Sequence, residues 1–280
     1  MSGPRISRER LMEIRRNLAE RDIEILSSIA TNRFLTSHQI RRTFFAHHVT
    51  DAAAIRASNR VMSRLATLGL VCHLLRRIGG VRAGSGSHVW SLSEAGARML
   101  RTTQELDGLP ERLRAHEPTS TFLEHTLAVA EVCLRLSEAA DRGEFTIVEL
   151  HREPQCWRAY SGRDGGVVHL KPDLALVTAS GEYEDHWFIE VDRDTEPPSR
   201  VIRACLKYEA YRQTAAERKR LGVFPAVVWV TPDSKRAASL EGHIERTPGL
   251  SRGLYAVVPL DDLVPLVGAG IGSREISRES

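Results

Sequence analysis

No stretch of this chain reaches the ~18 consecutive apolar residues that a membrane span requires. Its opening, MSGPRISRER, is charged and has no apolar run behind it, so no secretory signal is visible. Both absences lead us to expect a cytoplasmic protein with no membrane partner. The four cysteines, Cys72, Cys133, Cys156 and Cys205, are widely spaced and make no CxxC pair. That argues against a disulfide framework and removes the paired ligands of a zinc site. The four read as small, mostly buried apolar residues. His47 and His48 are adjacent, which is poor spacing for one metal on one helix face, and they read as surface residues. Lysine is scarce, at four of the 39 basic residues, and no internal repeat or long low-complexity run appears.

What is present is a chain of 280 residues, 42% apolar and 27% charged, an ordinary balance for a protein that buries a core. At ~100–200 residues per domain, two domains are expected. The net charge of +3 conceals an asymmetry: residues 1–117 carry a net of +8 and residues 118–280 a net of −5. Between 33 and 92, nine arginines face a single acid, Asp51. A basic domain joined to an acidic one suggests that the first meets a polyanion.

Apolar spacing predicts a helix over about 8–30 and a second one running from Thr36, with Gln39 closing a capping box, to Phe45. Asp51 is expected to cap a third helix, with Ile55, Val61, Met62, Leu65 and Leu68 on one face, which stops at Gly69. Strand-like runs follow at Leu70–Ile78 and His88–Leu92, joined by a glycine-rich tip, and Ser93 caps a closing helix. This order predicts a winged helix-turn-helix over 21–105, preceded by a tail at 1–20. Residues 106–118, with Gly108, Pro110 and Pro118, read as a linker. Beyond it, over 119–268, the chain alternates: a helix at about 119–141, strands at Phe145–Leu150, Val167–Val177 and Tyr183–Asp192, a helix at about Pro198–Arg220, a strand at Val223–Val230, and shorter elements to 267. That is an α/β layer architecture, with a polar tail at 269–280.

In a helix-turn-helix the second helix lies in the major groove. Here its polar side carries Arg56, Asn59 and Arg60, with Arg64 one turn on. Arginine bonds guanine bidentately and asparagine bonds adenine, so these residue types suit base reading. Arg41 and Arg42 on the preceding helix are candidate phosphate contacts; at the glycine-rich wing Arg77 and Arg82 are further DNA-binding candidates, Arg82 for a minor groove or the backbone. The expected partner is double-stranded DNA; a homodimer reading a palindrome would be in keeping with this class.

The second half carries carboxylates. Asp173 sits in KPDLAL, and Glu190 and Asp192 sit in FIEVDRDTE. Asp173 and Glu190 are spaced as neighbours across a hairpin, and alternation along the strand would aim Asp192 to the same face as Glu190. Converging carboxylates repel unless a cation lies between them, and Mg²⁺ (or Mn²⁺) takes such oxygens. Tyr208 and Tyr211 read as packing residues.

These features resemble the replication-relaxation family of bacterial plasmids and integrative elements, and within it a PD-(D/E)XK nuclease-like domain. The likeness spans roughly 20–260 and rests on the run His125–Val129, Pro172-Asp173 and Glu190-Val191-Asp192-Arg193. It implies an α+β or α/β fold in which Asp173 and Glu190 bind metal, with Glu131, or Glu124, as an additional acid. The nuclease pattern has lysine where this chain has Asp192. An acid at that position, or a cation moved to the next helix (Lys207 or Arg203) or to Lys171, would have to serve instead. The catalytic candidates are therefore Asp173, Glu190, Asp192 and Lys207. The expected function is duplex DNA binding in replication or mobilisation of a plasmid or mobile element, with metal-dependent nicking. The alternative is a transcriptional regulator whose nuclease-like domain is silent and mediates dimerisation or partner binding.

Overall fold

The computed structural model describes residues 6–74, 87–103, 118–162, 164–181 and 183–270. The chain divides into two compact units, Met1–Leu134 and Arg135–Ser280. The division falls inside a helix, whereas the sequence suggests a linker at 106–118; residues 104–117 lie outside the described set.

The first unit runs α1 (Arg8–Arg16), α2 (Glu20–Asn32), β1 (Phe34–Thr36), α3 (Ser37–Phe45), α4 (Asp51–Thr67), β2 (Val71–His73), β3 (Val89–Leu92), α5 (Glu94–Thr102) and the first part of α6 (Ser120–Asp141). The single helix expected over 8–30 is two helices. Ala19 is extended, and the Asp22 carboxylate accepts from its N–H at 2.9 Å, restarting the helix within an unbroken apolar period. The capping box at Thr36 and Gln39 forms as expected. The cap of α4 is Thr50, whose hydroxyl accepts from Ala53 N–H; Asp51 is the first helical residue. Gly69, with φ at +72°, ends the helix in the left-handed region that favours glycine. Three short strands pair antiparallel in the order β1-β3-β2. The core gathers Ile25, Leu26, Ile29, Ile40, Phe45, Met62 and Leu65. Ile55, expected on that face, is 40% exposed, and Leu68 is half-buried.

Leu123 and Leu127 of α6 pack with Val89, and Ala130 joins the unit's core. Buried Gln39 ties this packing to α3. Its amide donates to Leu127 O at 3.1 Å while its side-chain oxygen accepts from Thr36 N–H at 3.0 Å. We expect Gln39→Ala to remove both bonds and destabilise the protein by about 1–2 kcal/mol. Urea unfolding would register this as a lower midpoint with an unchanged slope.

The second unit contains the end of α6, then β4 (Thr146–Arg152), β5 (Arg158–Ser161), β6 (Val167–Leu170), β7 (Leu174–Ser180), β8 (Tyr183–Val191), α7 (Pro198–Gln213), α8 (Ala216–Leu221), β9 (Ala226–Thr231), α9 (Ser234–Arg246), β10 (Tyr255–Pro259) and α10 (Leu263–Ala269). Five strands make a mixed sheet in the order β10-β9-β8-β7-β4. β4, β7 and β8 are antiparallel neighbours, whereas β8, β9 and β10 run parallel. All six residues of β9 are buried, as befits a strand covered on both faces. Phe188, Tyr208, Val227, Trp229, Leu240 and Val257 form the core that joins the sheet to α7 and α9. The run expected as one strand over Val167–Val177 is two, since Pro172 offers no N–H to a ladder. β6 pairs with β5, an element whose short run carried no periodic signal. The helix expected to reach Arg220 breaks at Ala215, which adopts φ +57°. Cys133, Cys156 and Cys205 are buried, but Cys72 is exposed on β2.

Candidate functional site

Strand register builds the centre of the site. Leu174 of β7 pairs with Ile189 of β8 and with Arg152 of β4. Asp173 immediately precedes Leu174, Glu190 immediately follows Ile189, and Glu153 immediately follows Arg152, so all three lie at one end of these strands. Asp173 is buried, and its Oδ2 accepts from Val191 N–H at 2.8 Å. Glu190 is half-buried, and its Oε1 accepts from the fully buried hydroxyl of Tyr208 at 2.7 Å. The structure thus brings Asp173 and Glu190 together. It also reveals two partners that sequence reasoning did not assign: Glu153, just before a proline at the end of β4, and Tyr208, read as packing.

Burial pushes the Glu190 carboxyl well above the usual carboxylate range, and the Asp173 charge pushes it further. Glu153 acts in the same direction, while the Tyr208 hydroxyl and the Lys207 ammonium oppose it. Tyr208 is itself raised by burial and then by Glu190. The Cys156 thiol is pushed up to about 12, by burial first and then by Glu153 and Asp173. It donates to Pro172 O at 2.9 Å, which pins the corner leading into Asp173.

The folded state therefore holds the Glu190 proton more tightly than the unfolded chain does. Folding takes up a proton between the ordinary carboxylate range and the raised value, and stability grows as pH falls through that window. In metal-free buffer at about pH 8, Glu190→Gln should melt above the parent, by roughly 2–4 °C for each kcal/mol of relieved charge burial and repulsion. The gap should close by about pH 5. Calorimetric melts across that range check it.

Asp192 does not join the pair. β8 ends at Val191, so strand alternation no longer fixes where Asp192 points. Its buried carboxylate accepts from Arg236 Nε at 2.7 Å and Nη2 at 3.0 Å, and Arg236 also reaches Asp194 and Glu196 O. Lys207 is exposed on α7, near enough for its charge to favour ionised Glu190. Arg203 is also exposed, and the Lys171 ammonium lies over the Trp157 ring, 4.1 Å from its centroid. Glu131, expected as an additional metal ligand, is bound to Arg42 and Gln39 in the first unit. Among the described residues no group of three or more His, Cys, Asp or Glu is placed to hold a metal ion.

On α4 the structure leaves Arg56, Asn59 and Arg60 exposed along one side, with no ion pair to either arginine among the described residues. The other arginine candidates divide. Arg41 is half-buried on α3. Arg42 is engaged by Glu131, and Arg64 is bound at 2.6 Å to Asp22, a buried carboxylate. Arg77 and Arg82 lie outside the described residues. Arg42 and Arg64 were legible as cations but not as internally paired ones, because their partners are far away in sequence.

A mixed α+β chain with a mixed five-stranded sheet and a carboxylate pair at one end of it is the class these observations define. The replication-relaxation family model matches residues 26–227, more than half of the sequence, and the chain belongs to that family. No match is found among curated proteins. Among solved structures, the restriction endonuclease FokI aligns over 92% of this chain and 72% of its own, at 10% identity and a TM-score of 0.22. FokI bound to DNA aligns over 92% and 71%, at 12% identity and a TM-score of 0.23. Overlaps at this level are too slight to define a shared fold. No helix among the described residues is long and apolar enough to cross a membrane.

Proposed function

We propose that this protein acts on DNA in the replication or mobilisation of a plasmid or other mobile element, binding duplex through its first unit and nicking a strand at Asp173 and Glu190. The observation that carries the nicking is the Asp173 and Glu190 pair at one end of β7 and β8: Asp173 accepts from Val191 N–H, and Glu190 is raised by burial and then by the Asp173 charge. Binding is supported by the order α2-β1-α3-α4-β2-β3, compatible with a winged helix, and by the exposed Arg56, Asn59 and Arg60 on α4. Family membership supports the replication context.

The pair fits a divalent cation. Mg²⁺ keeps several waters and commonly takes only one or two carboxylates, so two hard oxygen donors suffice without a closed cage. When bound, such an ion acidifies water and stabilises charge on a phosphoryl oxygen. The chain's own part is to hold both carboxylates at one end of the sheet, with Val191 N–H on Asp173 and the Tyr208 hydroxyl on Glu190. Lys207, on the exposed side of α7, is the cation available to a phosphate or to the attacking water in place of a lysine at position 192.

A second reading, a silent domain that only binds partners, is favoured by one observation: Asp192 is locked by Arg236 where the nuclease pattern has a free lysine. Supercoiled plasmid incubated with the protein and Mg²⁺ or Mn²⁺ separates the two readings. Nicking predicts open-circular product that EDTA abolishes and that falls at least ~10³-fold in Asp173→Ala and Glu190→Ala. Binding without any cutting by the parent would establish the silent reading.

A further inference from the structure

We infer that Tyr208 is the positioning residue of this site: its hydroxyl holds Glu190 by one oxygen and leaves the other for the metal. The inference rests on the proposed metal-binding role of the Asp173 and Glu190 pair. Tyr208 is fully buried, and a buried hydroxyl requires a partner. The partner is Glu190 Oε1, at 2.7 Å. No hydrogen bond or ion pair to Glu190 Oε2 is found among the described residues. The ring is held against Phe188, with centroids 5.7 Å apart, so the hydroxyl cannot follow a wandering carboxylate and instead dictates its rotamer. Groups behind the ligands of a metal commonly set affinity in this way, at about 10–100-fold each.

The same helix supplies an internal control. Tyr211, one turn on, donates its hydroxyl to buried Glu217 at 2.9 Å, and that carboxylate is already neutralised by Arg158 and Arg220. Both tyrosines therefore donate to a carboxylate, but only Tyr208 does so at the Asp173 and Glu190 pair.

Manganese titration followed by electron paramagnetic resonance, on the full chain, tests the inference. Tyr208→Phe should weaken Mn²⁺ binding about ten-fold or more, whereas Tyr211→Phe should leave it unchanged. In a Glu190→Gln background, Tyr208→Phe should produce no further loss. Parent-like affinity in Tyr208→Phe, or an equal loss in the Glu190→Gln background, would overturn the role of Tyr208 while leaving the metal site standing. A parent that binds no Mn²⁺ would overturn both. A second measurement does not depend on the variant's folding. With 3-fluorotyrosine placed at 208 alone, saturating Mg²⁺ should shift the fluorine resonance; the same label at 211 should stay still. An unresponsive label at 208 with Mg²⁺ bound would also defeat the inference.

Discussion

Arg236→Met should cost the fold about 3–5 kcal/mol, well beyond the loss expected of Gln39→Ala. The size follows from what it leaves behind. Asp192 is buried and takes both its charge-assisted bonds from one guanidinium, which also donates to Glu196 O. Methionine fills much of the vacated volume but offers no donor, so the buried carboxylate keeps only the Asp194 N–H bond, at 3.1 Å, and loses its countercharge. Roughly 10 °C should be lost from Tm, at ~2–4 °C per kcal/mol for a chain approaching this size. The Arg236→Met, Asp192→Leu double variant should recover most of the loss, because a buried pair replaced by apolar residues is often neutral or stabilising. Recovery would assign Asp192 to the architecture of the strand-to-helix turn. A double variant as unstable as the single one would mean that packing around Arg236, not its charge, holds that turn.

The second large effect concerns DNA. Arg56 and Arg60 lie one turn apart on α4, exposed and unpaired among the described residues. At about 1–3 kcal/mol per good base contact, the Arg56→Ala, Arg60→Ala variant should bind duplex on the order of 10²-fold more weakly or worse. If phosphates are their targets, the plot of log affinity against log salt should also flatten by up to ~1.8, at ~0.9 for each phosphate no longer neutralised. Arg64→Ala should behave differently. Its guanidinium neutralises buried Asp22, so its loss should appear in the melting curve before it appears in binding. Fluorescence anisotropy at several salt concentrations, beside thermal melts, separates these outcomes. Unchanged duplex affinity in the double variant would remove α4 as the reading surface.

Local signals made much of this molecule legible. The Thr36 and Gln39 capping box, the stop at Gly69 and the start at Ser93 are written in a few adjacent residues, and each forms. The nearness of Asp173 to Glu190 was legible too, since hairpin spacing brings the start of β7 to the end of β8. What escaped depends on distant partners. Asp192 looked like a third site acid because alternation was carried one residue past the end of β8, and its true partner, Arg236, is 44 residues on. Glu153 comes near the pair only through the pairing of β4 with β7, which no local pattern announces. Glu131 was expected as an additional metal ligand, yet it neutralises Arg42 across 89 residues. The break between α1 and α2 was hidden for the opposite reason: an apolar period continued straight through a helix restart.

Whether the paired carboxylates hold a metal can be seen by anomalous diffraction from crystals of the parent soaked in Mn²⁺. A peak is expected within coordination distance, ~2.2 Å, of one oxygen from each of Asp173 and Glu190, and it should vanish in Asp173→Ala crystals. A peak seated elsewhere, or an Asp173 and Glu190 pair that stays metal-free at a saturating concentration, would refute the assignment.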